Sequence, residues 1–139
     1  MGRINVARVI LGGLVAGLVI NIGETILNLV VVGQAMEDAL RARNAPAMEM
    51  GPMMGFVAFT FVVGIATIWL YAAIRPRFGA GAKTAAIAGL AVWFFAYVSP
   101  ALGMALMGLF SMKLMTATTV WGLPEIVVAS VAGAWLYKE

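Results

Sequence analysis

Two glutamates inside apolar segments are the residues of this sequence best suited to chemistry. Glu24 and Glu125 each interrupt a long apolar run, at a similar distance from the end that faces one side of a membrane. At a rise of about 1.5 Å per residue, both carboxyl groups lie roughly 12 Å below that outer surface. An ionised carboxylate at that depth is costly unless it is paired, hydrated or protonated. We therefore expect neither side chain to face lipid.

A polar stripe surrounds Glu24. Its members follow the spacing i, i+3, i+4, i+7 and share one face of a helix: Asn21, Glu24, Thr25 and Asn28. Pro124 lacks a backbone N–H and so frees a carbonyl near Glu125. Three further polar side chains complete the cluster if their helices turn them inward: Thr60, Tyr97 and Ser99.

This cluster has two interpretations. In the first, Glu24 and Glu125 share a proton or bind a cation, in a site within the outer half of the protein. In the second, asparagine amides donate to both carboxylates in a structural network that fixes how the helices pack. The residue types and spacings leave both open.

Methionines concentrate at the outer face: every methionine except Met1 lies at or near that face. Thioethers are soft ligands, so a Cu(I) site would draw on Met48, Met50, Met53, Met54, Met112 and Met115. Methionine also fills irregular apolar interfaces, and the lack of histidine and cysteine favours that interpretation. We therefore expect no bound metal and no cofactor.

Other residues indicate packing or contact with partners. Trp93, Phe94 and Phe95 lie near the middle of an apolar run. Such residues usually form the core of a helix bundle, although they could also contact a quinone, a pigment or a partner helix. Gly13 and Gly17 have the spacing of small residues that let two membrane helices approach closely. Met104 and Met107 belong to an outer surface suited to partner subunits.

Composition decides the class of protein. Charged residues make up only 11% of the chain, hydrophobic residues reach 63%, and the mean hydropathy is +1.01. A soluble domain of this size would have too little polar surface, so an integral membrane protein is expected. With no cysteine and no histidine, disulfides, thiol catalysis and the usual zinc sites are excluded. No phosphate-binding loop or basic run indicates nucleotide or nucleic-acid binding, and we expect no enzyme activity.

Four apolar stretches are long enough to cross about 30 Å of hydrocarbon. They cover about 6–32, 53–74, 84–110 and 116–137, with one outer loop at 34–51. The stretches do not alternate as barrel strands do. The sequence therefore predicts a single all-α membrane domain, a bundle of four transmembrane helices.

The same bundle would consist of two tandem hairpins if the chain arose by duplication. Ile68-Trp69-Leu70-Tyr71 near the end of the second stretch is repeated as Ala134-Trp135-Leu136-Tyr137 near the end of the fourth. The alternative is that the same membrane-interface chemistry was used twice.

Lysine and arginine predict the orientation. Six of the nine lie at the N-terminus, in the 75–83 turn and at the C-terminus, whereas three lie on the other side. The positive-inside rule places the two termini in the cytoplasm. Such a chain is typical of small multi-pass proteins of the bacterial inner membrane.

Two functions fit this chain. The first is a non-catalytic accessory subunit of a larger membrane complex, of the respiratory or photosynthetic type, because the loops are minimal and no cofactor ligands are present. The second is a small proton- or cation-linked transporter or channel that uses Glu24 and Glu125 and forms a homo-oligomer, since four helices barely enclose a pathway. The partners are lipid and either other membrane subunits or further copies, without nucleic acid.

Overall fold

Helices and the turns between them make up the part of the chain that the structure describes. A computed structural model describes residues 4–46 and 49–138, and no strand occurs within these ranges. Four helical segments are long and apolar enough to span a membrane: Val6–Val31, Met50–Phe78, Ala82–Leu106 and Met112–Leu136. The predicted all-α class and the four apolar helices are confirmed.

The helices follow one another with short connections. Their order is α1 (Val6–Ile26), a π-helical turn (Leu27–Val31), α2 (Gly33–Arg41), α3 (Met50–Phe78), α4 (Ala82–Trp93), a second π-helical turn (Phe94–Val98), α5 (Ser99–Leu106) and α6 (Met112–Leu136). The third span thus consists of α4, a π-helical turn and α5. A π-helical turn inserts a wider hydrogen-bonded ring into a helix and shifts the side chains that follow it.

Several helix ends have a local cause. The Asn5 side chain accepts a hydrogen bond from the Arg8 amide at 3.2 Å, and the Ser111 hydroxyl accepts one from the Leu114 amide at 3.2 Å. Both side chains cap N–H groups that have no partner inside the helix. The third span ends at Leu106 rather than near 110, because Gly108 adopts a φ of 69° in the turn that follows.

Close backbone contact joins the helices in the half of the molecule that contains both chain ends, here called the terminal half. A Cβ on Gly12 would lie 2.5 Å from the Gly133 carbonyl oxygen, and a Cβ on Gly133 equally close to the Gly12 oxygen. On the other side of α1, Gly13 and Gly17 lie against α3, where Gly64 has room for no side chain. Small residues let van der Waals contact hold membrane helices together.

Tyrosines close the terminal half at its end. The Tyr137 hydroxyl accepts a hydrogen bond from the Asn5 amide at 3.3 Å, and the Tyr71 hydroxyl accepts one from the Gly81 amide at 3.2 Å. The two rings meet edge to face with centroids 5.9 Å apart. The two copies of the Trp-Leu-Tyr motif therefore meet through their tyrosines, while Trp69 and Trp135 remain exposed on the sides.

The opposite end is the loop half, which contains α2, the 107–111 turn and Glu24. Glu125 lies at its inner edge, thirteen residues after the start of α6 at Met112, and so about 20 Å from that end instead of the expected distance of roughly 12 Å. Here Met36 and Ala39 of α2 pack against a small cluster that includes Leu114 and Met115. The Arg43 guanidinium donates to the Gly108 carbonyl and lies over the Phe110 ring, 5.6 Å from its centroid. Beyond Trp93, the third span packs mainly on α6 and leaves large apolar side chains exposed.

Candidate functional site

Glu125 lies in the loop half and is the better enclosed of the two carboxylates. Its side chain is buried, with 8% of its surface exposed. Oε1 accepts a hydrogen bond from the Tyr97 hydroxyl at 2.8 Å, and Oε2 accepts one from the Trp121 indole N–H at 3.3 Å. The same indole N–H also lies 3.2 Å from the Gly23 carbonyl oxygen. Two neutral aromatic donors therefore hold the carboxylate between α1, α6 and the third span.

Two glycines make room for this arrangement. The Glu125 carboxylate lies against Gly23 of α1, where any Cβ would collide with Oε2. The Tyr97 ring lies in the same way against Gly122 of α6. Tyr97 belongs to the second π-helical turn, and such turns are frequent at functional sites. The position of Tyr97 thus depends on a local departure from the regular helix together with a gap in the neighbouring helix.

Glu24 is less buried than Glu125, and its carboxylate has a weaker hydrogen bond. It is partly exposed, and the Asn28 amide N–H approaches its Oε2 at 3.4 Å while donating to its backbone carbonyl at 2.8 Å. The Thr25 hydroxyl donates to the Asn21 carbonyl at 2.7 Å, and the Asn21 amide donates to the Gly17 carbonyl at 2.9 Å. The polar stripe therefore uses its donors mainly on its own helix, and in the described residues no asparagine donates to Glu125.

Both carboxylates lie beside the same part of α1, because the Glu125 carboxylate lies against Gly23, the residue before Glu24. Neither has a cationic partner in the described ranges, where one ion pair is found, between Arg41 and Glu37 on α2. Thr60 donates to the Val57 carbonyl of its own helix, and Ser99 is exposed. Of the three polar residues expected to complete the cluster, Tyr97 alone reaches a carboxylate.

A groove leads from the side of the molecule to Glu125. It has a volume of about 320 Å³ and runs between α1, which contributes Val19, Ile22 and Gly23, and α6, which contributes Trp121 and Pro124 beside Glu125. Its walls are otherwise apolar. The groove opens laterally, since Ile22 is 54% exposed at its edge.

The aromatic residues of the third span separate into two groups. Trp93 packs against the core, and its indole N–H donates to the Thr119 carbonyl at 2.8 Å. Phe94 and Phe95 are instead 53% and 74% exposed, although Tyr97 of the same π-helical turn contacts Gly122 of α6. The expectation that all three form core therefore holds for Trp93 and not for the two phenylalanines.

The remaining predicted residues are placed as follows. Gly13 and Gly17 contact α3 of the same chain. Met104 and Met107 are exposed at and just after the end of the third span. Four methionines at the starts of α3 and α6 are also exposed: Met50, Met53, Met54 and Met112. Met115 is buried beside Leu27 and Leu114, as an apolar filler would be. Met48 lies outside the described residues.

Trp121 is the site residue that sequence reasoning missed. It lies four residues before Glu125, a spacing that puts two side chains on the same face of a helix. An indole N–H one turn from a carboxylate within an apolar segment was therefore a usable signal. Gly23 and Gly122 had no such signal, because their role depends on which helices meet.

Comparison of the chain with protein-family models, with curated proteins and with solved structures finds no match.

Proposed function

We propose that the protein is a non-catalytic accessory subunit of a larger membrane complex, of the respiratory or photosynthetic type. One observation carries this proposal: the terminal half is closed by backbone contact, whereas the carboxylate in the loop half faces a groove that opens sideways. A conducting protein needs a path between its helices. A subunit needs a lateral surface that another membrane helix can cover.

The packing of the terminal half supports this proposal. Ala16 and Ile68 have no exposed surface, and the Gly12–Gly133 contact brings α1 and α6 together at backbone distance. The buried Thr67 hydroxyl donates to the Val63 carbonyl of its own helix at 2.8 Å. The described residues of this half are therefore closely packed, as a structural subunit requires.

The surface of the third span adds a second support. It is the least covered of the four spans, with 17% of its most apolar stretch buried against 28–39% in the others. Phe94, Phe95 and Met107 project from it. Aromatic residues and methionine are enriched at protein interfaces, so this surface suits a neighbouring subunit.

We further propose that the four helices form a bundle in the bacterial inner membrane with both termini in the cytoplasm. The support is charge: the terminal half carries Arg8, Arg75, Arg77, Lys83 and Lys138, and cytoplasmic segments are enriched in such residues. A reporter that works only in the cytoplasm should be active when it is fused after Lys138, whereas a reporter that works only in the periplasm should be inactive there. Activity of a periplasmic reporter at that position would reverse the orientation.

The assembly state tests the proposed function. The native protein is extracted in mild detergent and separated by native electrophoresis, followed by mass spectrometry of the comigrating chains. We expect comigration with one multi-subunit complex of defined stoichiometry. Migration as a lone monomer or small homo-oligomer would contradict the proposal.

A second candidate function is proton- or cation-linked transport by a homo-oligomer. The observation that favours it is the pair of neighbouring carboxylates, Glu24 and Glu125, neither of which has a cationic partner in the described ranges. The double variant Glu24→Gln with Glu125→Gln would abolish flux in proteoliposomes while leaving assembly intact. Unchanged flux would remove this candidate.

A further inference from the structure

The groove between α1 and α6 ends at an uncompensated carboxylate. Glu125 accepts hydrogen bonds from Tyr97 and Trp121, which are neutral and disperse its charge without cancelling it. The apolar spans offer no cation, because no lysine or arginine occurs in 9–40, 44–74, 84–112 or 114–137. At membrane depth a charged side chain is normally paired. The groove is a route by which a positive group from another chain can reach Glu125.

The edges of the groove have the shape of a helix-binding surface. Leu18, Ile22 and Ile26 form a row at i, i+4 and i+8 on α1, and each is at least 44% exposed. On α6, Val120 and Val128 form the facing row, with exposures of 62% and 58%. Rows at this spacing are the ridges between which another helix packs.

We propose that this groove binds a transmembrane helix of a partner subunit that carries one lysine or arginine at the depth of Glu125. The basic side chain enters between Ile22 and Val128 and pairs with the Glu125 carboxylate, and the two rows of exposed side chains hold the helix. This inference rests on the proposed subunit function and names the chemistry of the partner.

A second copy of this chain is a poorer occupant. Its apolar spans contain no lysine or arginine, so it would bring apolar surface to the groove without charge. The volume of about 320 Å³ suits one long side chain and is too small for a helix backbone to enter. The occupant therefore combines one inserted basic side chain with a helix that lies across the groove.

The test uses a synthetic transmembrane helix in nanodiscs that contain the purified protein. The helix is a fluorescently labelled leucine–alanine peptide of about 25 residues, long enough to span the bilayer. Its single lysine lies about thirteen residues from one end, near the middle of the peptide, because Glu125 lies thirteen residues after the start of α6 at Met112. An otherwise identical peptide has leucine in place of lysine. Binding is measured by energy transfer from a donor on the protein.

We expect the lysine peptide to bind about tenfold more tightly than the leucine peptide, which corresponds to about 1.4 kcal/mol. Glu125→Gln should abolish that preference. The matched control is Asp38→Asn, which removes an exposed carboxylate of α2 that does not line the groove and should leave the preference within about twofold. Equal binding of the two peptides, or a preference that survives Glu125→Gln, would overturn the inference.

A second variant keeps the carboxylate and blocks the entrance. Ile22→Trp fills the edge of the groove from an exposed position and should abolish the lysine preference. Leu11→Trp is its control, because Leu11 is 51% exposed on α1 but lies in the terminal half. Circular dichroism should show equal helix content in the two variants. An unchanged lysine preference in Ile22→Trp would contradict entry through this groove.

A small organic cation is the competing occupant. Tetraphenylphosphonium could bind in a Glu125-dependent manner while the lysine and leucine peptides bind equally. The groove would then be a binding site for small cations, and the inference would be wrong. Failure here is distinguishable from failure of the proposed function. In the first case the native protein still comigrates with a complex, whereas in the second it migrates alone.

Discussion

The two halves of this molecule hold their helices together in different ways. In the terminal half, glycines bring backbones into contact, and Gly12 and Gly133 oppose one another with no space for a methyl group. In the loop half, glycines make room for functional groups instead, since Gly23 and Gly122 accommodate the Glu125 carboxylate and the Tyr97 ring. The same residue type thus closes one half and supports a polar site in the other.

This difference shows how four helices divide structure from function. Apolar burial does little to drive helices together in lipid, so association depends on close van der Waals contact and on hydrogen bonds between helices. The terminal half supplies the first. The loop half supplies the second, at Glu125, and its exposed side chains are free to meet a partner. The three predictions that follow test this division.

The largest effect is expected at the glycine contact of the terminal half. Gly133→Leu would force a side chain against the Gly12 carbonyl, which is backbone and cannot move aside. We expect a loss of about 3 kcal/mol in the free energy of unfolding, at the upper end for overpacking. Denaturant titration in mixed micelles measures it.

The control for this variant is Gly103→Leu, because a Cβ at Gly103 of α5 has no neighbour within 4 Å. It should change the free energy of unfolding by less than about 0.5 kcal/mol, as surface substitutions usually do. Equal losses in the two variants would show that the terminal half has no special role in holding the helices together.

An intermediate effect is expected at the hydrogen bond between Tyr97 and Glu125. Tyr97→Phe removes a donor from a buried carboxylate and should cost about 1.5 kcal/mol in the free energy of unfolding, as hydrogen bonds to charged groups do. It should also change the fluorescence of Trp121, whose indole N–H shares the carboxylate.

Tyr71→Phe provides the comparison in the terminal half, where the hydroxyl accepts from the neutral Gly81 amide. Its cost should be about 0.5 kcal/mol. If Tyr97→Phe cost no more than Tyr71→Phe, the hydrogen bond to Glu125 would not be the main polar contact between the helices.

The smallest effect is expected at Glu24. Its nearest side-chain donor, the amide of Asn28, lies on the same helix at 3.4 Å. Glu24→Gln should therefore change the free energy of unfolding by less than about 0.5 kcal/mol. Glu125→Gln, measured under the same conditions, should lower the free energy of unfolding by more, because two other side chains donate hydrogen bonds to the Glu125 carboxylate. A reversed order would show that Glu24 is the structural carboxylate.

Sequence reasoning works well here for whatever depends on one helix at a time. Apolar run length gives the four spans, and helical spacing identifies Asn21, Glu24 and Thr25 as neighbours on α1, while Asn28 lies in the π-helical turn that follows. Apolar run length predicts the ends of the spans less well. Gly108 ends the third span before 110 through its left-handed backbone conformation, and α3 continues past the predicted end at 74 to Phe78, with Pro76 inside it.

The partners of the carboxylates are harder to predict, because they depend on how two helices meet. Tyr97 was one of three candidates, and only the contact between the π-helical turn and α6 separates it from Ser99 two residues later. The exposure of Phe94 and Phe95 is equally unpredictable from spacing alone. In lipid both the core and the outer surface are apolar, so hydrophobicity does not indicate which side faces inward.

The central claim is that the loop half binds another membrane subunit through the groove at Glu125. Native electrophoresis of membranes that express either the wild-type chain or Ile22→Trp tests it most directly, with Leu11→Trp as the control. The account predicts that the wild-type chain and Leu11→Trp comigrate with a multi-subunit complex and that Ile22→Trp is released from it. A wild-type chain that migrates alone, or an Ile22→Trp chain that stays in the complex, would contradict it.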